Sequence, residues 1–324
     1  MTSDLPISTR PLGKSGLQVT PIGLGVMEFS GGGSLLGHAF PVMAQEEKNA
    51  VIRTALEGGI NWFDTAEIYG GGVSESSLAT GLKAAGKQPG DVVIATKWSP
   101  ILRTARNIPV TIQDRLRFLD GFPVDLYYIH QPISFSSPEA EMNAMADLVE
   151  AGKIRSVGVS NFNAMRMLRA HAALEKRGLH LATNQVRYSL LDRKIETNGT
   201  LETARELGVT ITAYTPLGSG LLSGKYHKDP TLLKNKSFFW RGRIQRQLEA
   251  SRPLVAALEE IGQKYQATAA QVALNWVIWF NGEWVVTIPG ATTTRQAAEN
   301  AAAMRFHLSD AELARLDELS RDFR

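Results

Sequence analysis

The sequence predicts a parallel α/β protein of the (β/α)8, or TIM-barrel, class, and three observations point there. Short β-branched runs alternate with longer stretches whose apolar residues recur at helical spacing, the pattern of βαβ units. The ends of consecutive runs lie 33 residues apart from Asp64 to Lys97, 33 from Lys97 to His130 and 30 from His130 to Ser160, about one βα unit each. Eight such runs exist, whereas an open doubly wound sheet has about six strands and a glycine fingerprint after the first. No G-x-G-x-x-G follows the first run here.

In chain order, Arg10 to Val19 places turn residues between two short apolar pieces and reads as an N-terminal β-hairpin ahead of the barrel. The strands are expected at Ile22 to Gly25, Asn61 to Thr65, Val92 to Lys97, Leu126 to His130, Ser156 to Val159, Thr183 to Val186, Thr210 to Tyr214 and Val285 to Ile288. Helices are expected between them at Glu46 to Glu57, Glu75 to Ala85, Thr111 to Phe118, Glu139 to Glu150, Asn163 to Lys176, Leu201 to Leu207 and Arg252 to Lys264; Val51, Ala55 and Leu56 illustrate the spacing. From Tyr214 to Pro289 there are 75 residues, too many for one unit, so an insertion sits between strands seven and eight. Its polar part, Lys225 to Gln247, reads as a long loop and Ala267 to Phe280 as a further helix. A C-terminal helix runs from Ala311 to Leu319 with Ser309 as its cap. The whole of residues 1–324 reads as one barrel domain.

The 324 residues carry 35 Lys+Arg against 32 Asp+Glu, a net charge of +3, with 44% hydrophobic residues and no cysteine. Without cysteine there is no disulfide, iron–sulfur ligation, thiolate nucleophile or Cys-based zinc site. The charge excess is small and no run of five like charges occurs, so nucleic acid is not an expected partner. The N-terminus carries Asp4 and Pro6 where a signal peptide needs an apolar core, and the most apolar stretch, Leu274 to Val286, is broken by Asn281, Gly282 and Glu283. That falls short of the ~18–20 apolar residues of a membrane span, so a cytoplasmic protein without a membrane partner is expected. Self-association is left open.

Side chains at the C-terminal ends of barrel strands converge on one mouth. Asp64 shares a face with Trp62, Lys97 with Val93 and Ala95, and His130 with Leu126 and Tyr128, so apolar strands end in Asp, Lys and His on one rim. Tyr69, followed by Gly70, Gly71 and Gly72, lies on the loop above it. A nearby ammonium favours the phenolate, so Lys97 is expected to draw the tyrosine pKa down, while Asp64 keeps Lys97 charged. His130 can hydrogen-bond a carbonyl oxygen. The set delivers a proton to a carbonyl and contains no hydride donor, so reduction there implies a nicotinamide cofactor.

These residues sit in stretches that resemble the aldo-keto reductases: Phe63-Asp-Thr-Ala-Glu-Ile-Tyr-Gly70, Ala95-Thr-Lys-Trp98, Asp125-Leu-Tyr-Tyr-Ile-His-Gln131, Ile154 to Phe162, Asn184-Gln185, Tyr214 to Lys225 and Ile288-Pro-Gly290, in family order from about Arg10 to Leu319. The resemblance implies an NADP(H)-dependent reduction of aldehydes or ketones to alcohols. Tyr69 would be the general acid, Lys97 and Asp64 would tune it, and His130 would orient the carbonyl. Ser160, Asn161 and Gln185 match the residues that bind the nicotinamide carboxamide, and Tyr214 matches the ring stacked on the nicotinamide. The loop with Pro216, Leu217, Ser219, Gly220, Leu222 and Lys225 resembles the one that covers the pyrophosphate. Gln296, Glu299 and Asn300, on the helix after strand eight, match the adenosine-contacting positions, and Gly290 is a further cofactor-binding candidate. Many members carry a lysine or arginine just after the glycine matching Gly290, where this chain has Ala291-Thr292-Thr293-Thr294 before Arg295. Arg295 and the Arg241-Gly242-Arg243 cluster are therefore the candidates for a 2′-phosphate, with Thr292 among the cofactor-binding residues and NADP favoured over NAD.

The other features have plainer readings. His38, His171, His180, His227 and His307 show no metal-ligand spacing, so no metal is expected and a metal-dependent hydrolase lacks ligands. Ser30 to Ser34 lacks the lysine of a P-loop and reads as a flexible loop at the substrate mouth. Trp62 and Trp98 are either packing or a substrate wall, and Phe238 to Arg243 is either a solvated loop or a cofactor clamp. The alternative function is a cofactor-binding redox sensor resembling the potassium-channel β subunits.

Overall fold

The computed structural model describes residues 6–31, 42–235 and 238–324. Strand β1 (Arg10–Pro11) pairs antiparallel with β2 (Gln18–Val19), the expected hairpin. Then come β3 (Leu24–Gly25), β4 (Trp62–Asp64), β5 (Val93–Trp98), β6 (Val124–Ile129), β7 (Ile154–Ser160), β8 (Leu181–Arg187), β9 (Thr210–Tyr214) and β10 (Val285–Thr287). Each pairs in parallel with the next in sequence. Bridges from Ile22 to Thr287 and from Gly25 to Gly290 join the first barrel strand to the last, so the sheet closes as expected.

Closure gives the strands two environments. Trp62, Ala95, Leu126, Tyr128, Val286 and Ile288 form the core inside the barrel, while Phe63, Ile94, Tyr127 and Ile129 belong to the larger core between strands and helices. The period-two alternation of a strand makes this division. Inside, large residues sit against small ones: a Cβ on Gly158 would stand 2.7 Å from the Tyr128 ring, so glycine is what lets Tyr128 cross the barrel. Trp62 and Trp98 are both buried in these cores, which settles them as packing. Leu12, Leu17 and Val19 share the inner core, so the hairpin plugs the bottom of the barrel.

The helices are α1 (Gln45–Glu57), α2 (Val73–Ala84), α3 (Ile108–Phe118), α4 (Pro138–Glu150), α5 (Ala164–Glu175) and α6 (Thr200–Leu207), one after each of strands β3 to β8. After β9 the chain forms α7 (Lys225–Lys228), α8 (Phe238–Leu248), α9 (Arg252–Tyr265) and α10 (Ala269–Trp279), then α11 (Thr294–Ala302) and α12 (Asp310–Leu319) follow β10. The expectation of a long loop over Lys225 to Gln247 is therefore corrected: α7, a 3-10 turn at Pro230–Asn235 and α8 fill it. Polarity was misleading because a helix lying on the surface needs only a narrow apolar stripe, here including Tyr226, Leu233 and Leu248. Ser309 caps α12 in a reciprocal capping box with Glu312, as expected.

Arg193, in the loop after β8, ties the C-terminal helix to the barrel. Its fully buried guanidinium donates to Glu196 (2.6 Å), Asp317 (2.6 Å) and the Ser320 hydroxyl (2.7 Å), and lies over Trp276 and Phe280. Truncation would leave Glu196 and Asp317 with only the partly exposed Arg324, which also pairs with both, in place of their buried cation. Arg193→Met is expected to lower unfolding free energy by about 3 kcal/mol in urea titrations, with faster hydrogen exchange concentrated in α12.

Candidate active site

Four of the expected residues converge on the C-terminal mouth. Asp64 ends β4, Lys97 lies one residue from the end of β5, and His130 follows β6, each on the inward face. The Lys97 ammonium donates to Asp64 Oδ1 and to the Thr65 carbonyl (2.7 Å), both within the buried wall. Gln185, from the far side of the barrel, donates to Asp64 Oδ2 at 2.8 Å. Tyr69, half-buried, lies over this pair, with Lys97 Nζ 5.0 Å from its ring centroid. Its ring meets that of His130 edge-on, with centroids 5.8 Å apart and planes at 83°.

Burial governs the protonation of all four. It pushes the Asp64 carboxyl up and the Lys97 ammonium down, and each is the chief opposing charge for the other. Burial and the Lys97 charge drive His130 down to about 3, so its imidazole is neutral at ordinary pH. Tyr69 departs from the sequence expectation: burial, then the charges of Asp64, Glu28 and Tyr214, hold its phenol well above the usual range. Asp64 lies close enough for its own negative charge to oppose the phenolate, so it adds to the cost of desolvation. The phenol is therefore a full proton at neutral pH, poised to be given up only when an acceptor arrives.

A second group lines the adjoining rim. The Tyr214 hydroxyl donates to Asn161 Oδ1 at 2.9 Å, Asn161 Nδ2 donates to Ser160 Oγ at 3.0 Å, and Ser160 Oγ donates to the Gln185 carbonyl at 2.9 Å. Asn161 holds a left-handed backbone with φ of 59°, stiffened by these bonds. The loop after β9 carries left-handed Thr215, Gly218, Ser219 and Gly220. Within it Pro216 and Leu222 are buried, so they support the loop rather than face outward, while Leu217 is half-buried and Lys225 exposed. Beyond β10, Gln296 Oε1 accepts from the Thr292 N–H (2.8 Å) and hydroxyl, and Asn300 donates to the Gly290 carbonyl (3.2 Å). Arg295 is exposed at the start of α11 and paired with Glu299 at 3.1 Å. Arg241 is exposed on α8; the Arg243 side chain, and Gly32 to Ser34 of the glycine stretch, lie outside the described residues. Among the described residues no acidic or histidine cluster could hold a metal ion, and no helix is long and apolar enough to cross a membrane.

Two site residues were missed from the sequence. Glu28, in the 3-10 turn Met27–Ser30 after β3, packs its carboxylate on Gly290, where an added Cβ would lie 2.4 Å from Oε1. It was legible as a lone acid in the apolar run Ile22 to Phe29. Glu75, fully buried behind the sheet, accepts from Thr96 at 2.6 Å. It gave no signal because an acid in a helical first turn is ordinary.

The profile of a family described as Aldo/keto reductase family matches residues 21–321. An aldo-keto reductase of Strobilurus tenacellus is 34% identical over 98% of this chain and 93% of its own, and the chloroplastic pyridoxal reductase of Arabidopsis thaliana is 31% identical over 94% and 84%. Among solved structures, a thermostable aldo-keto reductase in complex with epalrestat superposes with a TM-score of 0.76 at 30% identity, covering 96% of this chain and 99% of that one. An aldo-keto reductase from Klebsiella pneumoniae in complex with NADPH gives 0.74 at 25% identity, covering 97% and 95%.

The His130 assignment has a measurable consequence. Between pH 3 and 6.5 the unfolded chain binds a proton at this histidine and the folded chain does not, so its contribution to stability is complete above about 6.5 and declines as pH falls. Urea midpoints from pH 7 to 5 should fall less steeply in His130→Gln than in the wild type. Nitrogen NMR of the ring should show a neutral imidazole at pH 5; protonation near pH 6 would contradict the burial argument.

Proposed function

This chain belongs to the aldo/keto reductase family, and on that premise we propose that it reduces aldehydes and ketones to alcohols with NADPH, reversibly, with Tyr69 as the proton donor. The observation that carries this reading is the buried Asp64–Lys97 pair beneath a protonated Tyr69 and beside a neutral His130. The rim residues suit a nicotinamide dinucleotide. Ser160, Asn161 and Gln185 offer amide and hydroxyl groups already held in place for a carboxamide, and Tyr214 offers a ring whose hydroxyl is pinned to Asn161. Ser219, Gly220 and Lys225 would lie along the pyrophosphate, and Thr292 and Arg295, at the N-terminus of α11, suit a 2′-phosphate. NADPH, when bound, supplies the hydride that the protein lacks.

The chain's own residues do the rest. His130 is neutral, so its ring can donate a hydrogen bond to the carbonyl oxygen without bringing a charge into the buried mouth. Tyr69 gives its hydroxyl proton to the same oxygen as negative charge develops there, which balances the hydride added at carbon. The phenolate left behind faces the Lys97 ammonium, whose charge Asp64 maintains, and this ammonium stabilises the tyrosinate once it forms. The high phenol pKa keeps the proton in place until then. Gln185 ties the far wall to Asp64, so the nicotinamide side and the proton-donating side are held in one register.

Loss of NADPH absorbance with a panel of aldehydes tests the reading. Tyr69→Phe is expected to lower kcat by about 100-fold or more with the Kd for NADPH unchanged, and a fully active mutant would refute the mechanism. Arg295→Ala is expected to weaken NADPH about tenfold and NADH hardly at all, measured by fluorescence titration. Equal losses for both would remove Arg295 from 2′-phosphate recognition. Tight NADPH binding with no turnover on any carbonyl would favour the redox-sensing alternative.

A further inference from the structure

Tyr69 sits on a tight loop, its N–H donating to the Ala66 carbonyl at 3.0 Å and the Gly70 N–H to the Ile68 carbonyl at 2.9 Å. Gly70, Gly71 and Gly72 follow it with φ of 74°, 64° and 107°, three successive left-handed residues with no side chains to pack. On its far side the loop runs straight into α2, so the position of the phenol also depends on what anchors the start of that helix. Behind the barrel wall two buried residues do this. The Ser74 N–H donates to the Tyr69 carbonyl at 3.1 Å, and the Ser74 hydroxyl donates to the Val26 carbonyl at 2.7 Å while accepting from the Thr65 hydroxyl at 2.9 Å. Glu75 accepts from the Thr96 hydroxyl at 2.6 Å and pairs with Arg115 of α3 at 3.3 Å.

The partners on the sheet are the immediate neighbours of the ion pair. Thr65 follows Asp64 and Thr96 precedes Lys97, so each strand shows a charged residue to the mouth and a threonine to α2. Motion of α2 relative to either strand would shift Tyr69 against the pair it overlies. We propose that Ser74 and Glu75 are positioning residues for catalysis, fastening α2 to β4 and β5 through Thr65 and Thr96 so that Tyr69 stays registered on Lys97. The proposal rests on the catalytic reading of Tyr69 given above. Glu75 also acts on Lys97 through space, raising its proton affinity alongside Asp64, while Tyr69, Tyr128 and His130 are the other titratable groups around that ammonium. Glu75 itself is pushed up to about 7 by burial, opposed by Arg115 and Lys97, with Glu67 adding to the rise.

The test uses Thr96→Val, which matches threonine in shape and removes only the hydroxyl, together with Thr96→Ser and Glu75→Gln. Thr96→Val and Glu75→Gln are expected to lower kcat about tenfold, with KM and the Kd for NADPH within about twofold of wild type, since misplacement acts on the reacting geometry and not on binding. Thr96→Ser should restore kcat. In Glu75→Gln the alkaline limb of the kcat profile should move to lower pH, because Lys97 loses a supporting negative charge. If Glu75→Gln fails to fold, Thr96→Val still decides. A wild-type kcat and pH profile in Thr96→Val, whatever its melting temperature, would show that the fastening only stabilises the fold and would overturn the proposal. An inactive Tyr69→Phe beside that result overturns this proposal alone, whereas a fully active Tyr69→Phe overturns the catalytic reading and this proposal with it.

Discussion

A carboxylate and an ammonium held together inside the barrel wall constrain the rest of this molecule. Neither Asp64 nor Lys97 is accessible to solvent to any useful degree, and two ions removed from water cost several kcal/mol each unless their remaining hydrogen-bonding capacity is filled. The Thr65 carbonyl and the Gln185 amide fill it, and they come from opposite sides of the barrel. Asp64 and Lys97 sit on neighbouring strands, and closure of the sheet is what brings Gln185 to the pair, which contributes little net stability that an apolar substitute would not match. Its retention makes sense as chemistry: a fixed positive charge in a dry site, placed where negative charge would develop.

The same constraint explains the protonation pattern. The phenol of Tyr69 responds first to its own desolvation and then to the Asp64 charge and stays protonated, and His130 responds to burial and to the Lys97 charge and stays neutral. The mouth thus holds one net ion pair and two neutral donors. That combination suits a general acid better than a phenolate poised in advance would, since an acid must keep its proton until the acceptor is present.

Alternation along the strands lets one stretch of chain serve two faces. Phe63 and Thr65 face the helices while Asp64 faces the mouth; Thr96 and Trp98 face the helices while Lys97 faces inward. Substitutions on the outer face can then reach the site through a single peptide unit. The hairpin plug beneath and the Arg193 clamp at the side hold the frame in which that coupling works.

Much of this was legible before any coordinates. Strand and helix periodicity marked the eight barrel strands and nearly every helix, and the near-regular interval between strand ends placed Asp64, Lys97 and His130 on one rim, because alternation and spacing are local properties of a chain. The polar segment from Lys225 to Gln247 misled, since a surface helix needs too few apolar residues to announce itself. Glu28 and Glu75 were passed over because an isolated acid acquires meaning only from what surrounds it. The direction of the Tyr69 shift was likewise decided by tertiary structure alone. Depth of burial and the summed charge of the surrounding groups depend on how the chain packs, so composition and spacing name the groups that meet, and only the closed barrel sets the balance of charge and solvent among them.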